Sequence, residues 1–302
     1  MSNGQRRKAH LNRKEACIIM SDQHFNTPAE VISATLEGGK RKSQLPLGKM
    51  ILLGIMAGAF IALGGATSST AAHNIANVGL ARLVAGCIFP VGLMMIVFVG
   101  GELFTGDCLM VMDVMCGKVS WKDCIRSLCI VYFSNLIGAL IIDVLILYSG
   151  NLDYSNGLLG AYAIKVALGK VTISPLKGIA SGILCNILVC IAVLMAGAAS
   201  DIAGKVWAIF FPIMAFVVGG FEHCVANMFY IPMGIMAAAN PTYAAMAQEA
   251  YGITAEQLSQ LTVLGSLNNF IPVTIGNILG GMVFVGIPCY LIQMNKEKKL
   301  SK

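Results

Sequence analysis

The 302-residue chain is 57% hydrophobic and only 12% charged, with a mean hydropathy of +0.76. Soluble domains carry roughly 25% charged residues, so this composition excludes a disordered chain and argues against a soluble globular enzyme. The formal charge is +6, and its placement along the chain matters more than its size. Ten cysteines are present without a CxxC; the nearest pairs, Cys124/Cys129 and Cys185/Cys190, are five apart. Most lie in apolar runs, where Cys acts as a small hydrophobe, so neither a disulfide framework nor a zinc site is expected. No apolar run opens the chain, so no cleavable signal peptide is expected.

In chain order, residues 1–45 read as a cytoplasmic tail holding one short amphipathic helix. Thr27-Pro28-Ala29-Glu30 is a capping signature, with Pro suited to the first helical position. Val31, Ile32 and Leu36 then share one side, as in a helix lying on a membrane surface. A bilayer core takes about 20 apolar residues per helix, and residues 46–295 offer six candidates. They are Leu47–Thr67, Leu83–Met115 (interrupted by GGELFTGD), Cys124–Tyr148, Gly178–Ala199, Val206–Ala239 (interrupted by GGFEHCVAN) and Phe270–Met294. Residues 296–302 form a second tail. The expected fold is an all-α membrane protein.

The basic residues set an orientation. Nine Lys/Arg fall in residues 1–49. Lys118, Lys122 and Arg126 follow span two, Lys205 follows span four, and Lys296, Lys298, Lys299 and Lys302 end the chain. Only Arg82, Lys165, Lys170 and Lys177 fall on the other side. Positive residues stay inside, so both termini are expected in the cytoplasm of a multi-pass inner or plasma membrane protein.

Spans two and five share a layout, a Gly pair followed by a polar cluster with an acid. Spans three and six share another, Asn135-Leu-Ile-Gly138 against Asn277-Ile-Leu-Gly280. Three spans per half require opposite orientations, an inverted 3+3 repeat with helices two and five broken near the midplane. Broken backbone in lipid is tolerated only where protein or a water-filled cavity satisfies it. The breaks should therefore face each other, with Asn186 and Asn277 as candidates to hold them; interhelical hydrogen bonding is the plainer role for such residues.

His223 is the sharpest chemical signal, since an imidazole inside a span is costly and marks function by default. The other histidines, His10, His24 and His73, lie in the tail or at a span end, so no metal cluster is expected. His223 suits either proton donation to a weak-acid anion or a hydrogen-bonding post for it. Thr105, in the other break, is its natural partner, or else bonds back to its own helix. Leu103 and Phe104 beside it form either a dewetting constriction or ordinary packing. Glu102 and Glu222 are expected to cap freed N–H groups or to pair, because a bare carboxylate would repel an anion. Lys170 suits a mouth that concentrates anions, or a plain solvated surface.

These segments resemble the formate/nitrite transporter family of small-anion channels. The resemblance rests on TPAEV, GELFTGD, VYFSNLIGAL, GILCN, GFEHCVANMFYIPMG and IPVTIGNILGG, and covers roughly residues 27 to 293. It implies an aquaporin-like inverted repeat, a homopentamer around a central lipid-filled hole, and one pore per protomer. By motif it makes His223 the central pore histidine and Thr105 its partner. It puts Leu93, Phe104 and Val189 at an inner constriction and Phe89 and Phe216 at an outer one. Asn186 and Asn277 become paired asparagines and Lys170 a vestibule lysine. The FTGD ending, with Cys and small residues near the path, leans toward the hydrosulfide branch; the alternative is a proton-coupled formate or nitrite transporter. Hydrosulfide, formate and nitrite are the expected permeants.

Other classes fit less well. No GxxxxGK[ST] loop supports ATP-driven transport, and no cofactor or nucleic-acid partner is indicated. A membrane redox enzyme lacks Cys pairs and a second buried His. A water or glycerol pore lacks twin Asn-Pro-Ala motifs, and a twin-histidine ammonium channel lacks histidines.

Overall fold

The computed structural model describes residues 25–300, with side chains to Gln293. Helix α1 (Pro28–Ser43) begins with the expected cap. The Thr27 Oγ1 accepts from the Glu30 N–H, and the Glu30 carboxylate accepts from the Thr27 N–H at 2.7 Å. These bonds satisfy amides that a helix start otherwise leaves unpaired. The helix buries Val31, Ile32 and Leu36. Ile32 and Leu36 share a core with Leu109, Met112, Cys190 and Val285, so α1 lies against the body of the helical bundle. Lys118, after the second span, pairs with Glu37 at 2.5 Å. That bond holds the Glu37 carboxyl below its usual range.

Helices α2 (Leu47–Ala72), α3 (Val78–Ile88), α4 (Val91–Val99), α5 (Phe104–Asp107), α6 (Val111–Met115) and α7 (Trp121–Tyr148) form the first half. The second half has α8 (Leu158–Val171), α9 (Pro175–Ala198), α10 (Ile202–Gly219), α11 (Cys224–Ala238), α12 (Pro241–Tyr251), α13 (Ala255–Leu258), α14 (Val263–Ile278) and α15 (Ile287–Leu300). A π-helical stretch, Leu279–Gly286, joins α14 to α15. Six helical segments are long and apolar enough to cross a membrane, and they match the six expected spans.

The boundaries differ in instructive ways. The second span is split at Pro90, which cannot donate to the helical ladder, into α3 and α4. The last begins at Val263, earlier than hydropathy suggested, because Ser266 and Asn269 in its first turns are buried. The connection before α9 contains a full helix, α8, that buries Leu159, Ile164, Ala167 and Leu168. At 14 residues it is too short to register as a span.

Both interruptions begin at a glycine with positive φ. Helix α4 ends at Gly100 (φ 103°) and α10 at Gly220 (φ 70°). Helix resumes at Phe104 and at Cys224, so the CVAN of the fifth-span motif is already helical. A side chain at either glycine would be strained.

Each half is built around a small-residue seam. A Cβ added at Gly58 would lie 1.9 Å from the Asn135 carbonyl oxygen, and one at Gly138 2.0 Å from that of Ile55. Helices α2 and α7 therefore touch backbone to backbone. Helices α9 and α14 repeat the arrangement, with a Gly276 Cβ falling 2.3 Å from the Ile179 oxygen. Such close approach is how membrane helices gain packing without a hydrophobic drive. Gly138→Ala is expected to lower the thermal midpoint in detergent sharply or to abolish folded protein. Gly48→Ala, where the space is open, should leave the melt within a degree or two. Equal melts would refute the seam.

Candidate functional site

The two breaks are held in the same way by two asparagines. The Asn135 Nδ2 donates to the carbonyls of Gly54 (2.8 Å) and Glu102 (2.9 Å), and its Oδ1 accepts the Phe104 N–H at 3.0 Å. The Asn277 Nδ2 donates to the carbonyls of Gly182 (2.8 Å) and Glu222 (3.0 Å), and its Oδ1 accepts the Cys224 N–H at 2.8 Å. Each amide thus satisfies both sides of one break, using its donor and acceptor together. Asn186 does something different. Its Nδ2 donates to the carbonyls of Asn277 (2.6 Å) and Thr105 (3.2 Å), tying the second break to the first.

The breaks converge on one contact. Thr105 Oγ1 lies 3.1 Å from His223 Nε2, and both residues are buried. The His223 Nδ1 accepts the Ala226 N–H at 3.0 Å, so the imidazole is the N-cap of α11. An Nδ1 that accepts a backbone N–H carries no proton, which leaves Nε2 as the protonated nitrogen facing Thr105. Phe216 stacks on the imidazole with centroids 5.8 Å apart, and Phe89 meets Phe216 edge-on at 5.5 Å.

An open vestibule of about 800 Å³ leads to this point, and Phe89, Phe216 and His223 lie in its lining. Arg82, Lys165 and Lys170 also line it, against a single carboxylate, Glu222. Lys170 is not free in the vestibule. Its Nζ lies 3.0 Å from Glu222 Oε1, and Asn227 and Asn269 donate to Glu222 Oε2 at 2.6 and 3.1 Å. The other break has a counterpart that sequence reasoning missed. Lys42, on α1, lies 2.7 Å from Glu102 and 2.5 Å from Asp107. Burial opposes the charged ammonium of Lys42, but Asp107 and Glu102 outweigh it and hold its pKa above the usual lysine range. Nothing in the periodicity of the basic tail singled this lysine out. Both glutamates pair, one of the two roles expected of them, and Glu222 also lines the vestibule. Leu93, Phe104 and Val189 are buried in one apolar core, and none of the three lines the vestibule. Among the described residues, no group of His, Cys, Asp and Glu could hold a metal ion. His10 and His24 lie outside the described residues.

A family model described as formate/nitrite transporter matches residues 29–291. The chain belongs to the formate/nitrite transporter family. A probable formate transporter of Methanothermobacter thermautotrophicus is 38% identical over 279 residues, covering 86% of this chain and 94% of the relative. The formate channel FocA of Escherichia coli (strain K12) is 35% identical over 275 residues, covering 89% and 95%. A solved structure, a pentameric formate channel with formate bound, superimposes with a TM-score of 0.71 at 37% identity, covering 82% of this chain and 98% of that one. This family member is thus a multi-pass membrane channel or transporter for small anions and not an enzyme.

Losing either holding amide leaves two buried backbone groups unpaired, the carbonyl entering the break and the N–H where helix resumes, at about 1–3 kcal/mol each. Asn135→Ala and Asn277→Ala should therefore each depress the thermal midpoint strongly and to a similar extent. A melt unchanged in either variant would show that water replaces that amide.

Proposed function

We propose that each protomer conducts small monovalent anions of weak acids through a pore centred on Thr105 and His223. The single observation that carries this reading is the 3.1 Å contact between those residues at the end of the vestibule. Formate is the leading permeant, because relatives named for it are 35–38% identical over nearly the whole chain. Nitrite and hydrosulfide share its charge and weak-acid character. The hydrosulfide lean drawn from FTGD has no support among these relatives.

The path runs through the basic outer vestibule, past Phe89 and Phe216, to the Thr105–His223 pair, then past Leu93, Phe104 and Val189 to the cytoplasm. Burying an anion in apolar surroundings is expensive unless it is hydrogen-bonded. The Nε2–H of His223 and the Thr105 hydroxyl supply donors there. The Nδ1 cap on Ala226 supports a hydrogen-bonding post over a proton donor. Protonating Nδ1 would break the cap, and a neutral ring surrenders its last proton only as imidazolate. Proton-coupled transport of formate or nitrite is the alternative reading.

The matched bonding of the two breaks supports an inverted 3+3 repeat, in which Asn135 corresponds to Asn277, Glu102 to Glu222 and Lys42 to Lys170. The relative solved as a pentamer supports a homopentamer. The charge placement supports cytoplasmic termini, with 1–45 and 296–302 as tails on the channel body 46–295.

Formate, nitrite, hydrosulfide and chloride fluxes in proteoliposomes at several pH values test this. Formate should pass and chloride should not. His223→Ala should cut formate flux roughly 10- to 100-fold, the range for losing one hydrogen bond to a charged group. His223→Asn, which keeps an N–H, should retain part of it. Formate flux and pH response untouched by His223→Ala would remove the histidine from the mechanism.

A further inference from the structure

The two halves meet a second time, behind the pore. Tyr132 lies on α7 three residues before Asn135, and Thr274 lies on α14 three residues before Asn277. Their hydroxyl oxygens are 3.0 Å apart. Positions that correspond in the two halves and also touch each other sit where the axis relating those halves passes, as in any two-fold contact.

This bond has a consequence for one ring. The Phe104 ring meets the Tyr132 ring edge-on, with centroids 4.9 Å apart and an interplanar angle of 77°. The backbone of the same Phe104 donates to Asn135. Residues three apart stand side by side on a helix, so one face of α7 holds Phe104 twice, Asn135 by its N–H and Tyr132 by its ring. Tyr132 is in turn held by its hydroxyl to Thr274. Thr274 lies one turn before Asn277, whose Oδ1 accepts the Cys224 N–H beside His223. A continuous brace therefore runs from the Phe104 ring through Tyr132 to Thr274 on the other half.

We propose that Tyr132 is a positioning residue that fixes the Phe104 ring and so sets the size cut-off for permeant anions, with Thr274 as its anchor. The inference rests on Phe104 being an inner constriction. An aromatic ring has few staggered positions about χ1 and a broad torsion at χ2. An edge-on neighbour selects one of these arrangements, provided that the neighbour is itself fixed. Freeing the Tyr132 hydroxyl would let both rings tilt. Anions that already fit would gain little, whereas larger ones would gain passage.

The test is the ratio of lactate to formate flux in proteoliposomes of the full-length protein. Tyr132→Phe and Thr274→Val should each raise the ratio about 2- to 10-fold, the range for one hydrogen bond. Thr274→Ser, which keeps the hydroxyl, should hold the native ratio. The double variant Tyr132→Phe/Thr274→Val should do no more than either single change, since both remove one bond. The two sites report the same bond, so poor folding of one variant leaves the other decisive, and thermal melts identify such a case. A native ratio in the folded single variants, or full additivity in the double variant, overturns the proposal. Phe104→Ala separates the two layers of the argument. It should raise the ratio by itself and abolish any further effect of Tyr132→Phe. A native ratio in Phe104→Ala would remove the constriction reading, and the proposal with it.

Discussion

A helix interrupted inside a bilayer must find partners for the backbone groups that it frees, because lipid offers none. Here two asparagines discharge that requirement, and much else follows from them. Asn135 and Asn277 each join the strand of chain entering a break to the residue at which helix resumes. The restart points are thereby fixed at Phe104 and Cys224. Thr105 is then the second residue of one new helix and His223 the cap of the other. Their 3.1 Å approach is a consequence of where the helices restart, with Asn186 tying the two breaks together.

The ion pairs follow a related logic. Glu102 and Glu222 sit at the breaks, where an unpaired carboxylate would both pay a desolvation cost and repel a passing anion. Lys42 neutralises the first and Lys170 the second. Such pairs contribute little net stability once desolvation is counted. Their value lies in the local field, since a neutralised acid can remain beside an anion path. The two sites differ in one respect. Lys42 serves both Glu102 and Asp107, whereas Glu222 is also held by the amides of Asn227 and Asn269.

How much of this was readable in the chain depended on the range of each interaction. The spans were legible because hydropathy over about 20 residues is a property of the segment alone. The breaks were legible because paired glycines and an acid cannot sit in an ordinary span. His223 and Thr105 followed from lying in those breaks. Helix α8 was not legible, since a 14-residue apolar helix folded into the vestibule wall looks like a connection. Lys42 was hidden among nine basic residues, and only the docking of α1 against Leu109, Met112 and Val285 distinguishes it. Asn135 stood out by its match to Asn277, but its bonds to Gly54 and Glu102 depend on the α2–α7 seam. That seam is set by glycines whose partners lie about 80 residues away.

The most informative feature is a failure of correspondence between the halves. If Asn135 corresponds to Asn277, then Leu103 corresponds to His223, each being the residue just before helix resumes. Leu103 has no side-chain cap, whereas the His223 imidazole accepts the Ala226 N–H. A scaffold of matched halves needs no histidine to close its breaks, because Leu103 manages without capping. The imidazole therefore does something that the fold does not require. Its Nδ1 is occupied by Ala226 and its Nε2 is turned toward Thr105, so a single protonated nitrogen faces the junction of the two breaks. A ring donor so placed, beside the Thr105 hydroxyl, suits the negatively charged permeant proposed above. This is the chemistry expected where a small anion must shed water between apolar walls.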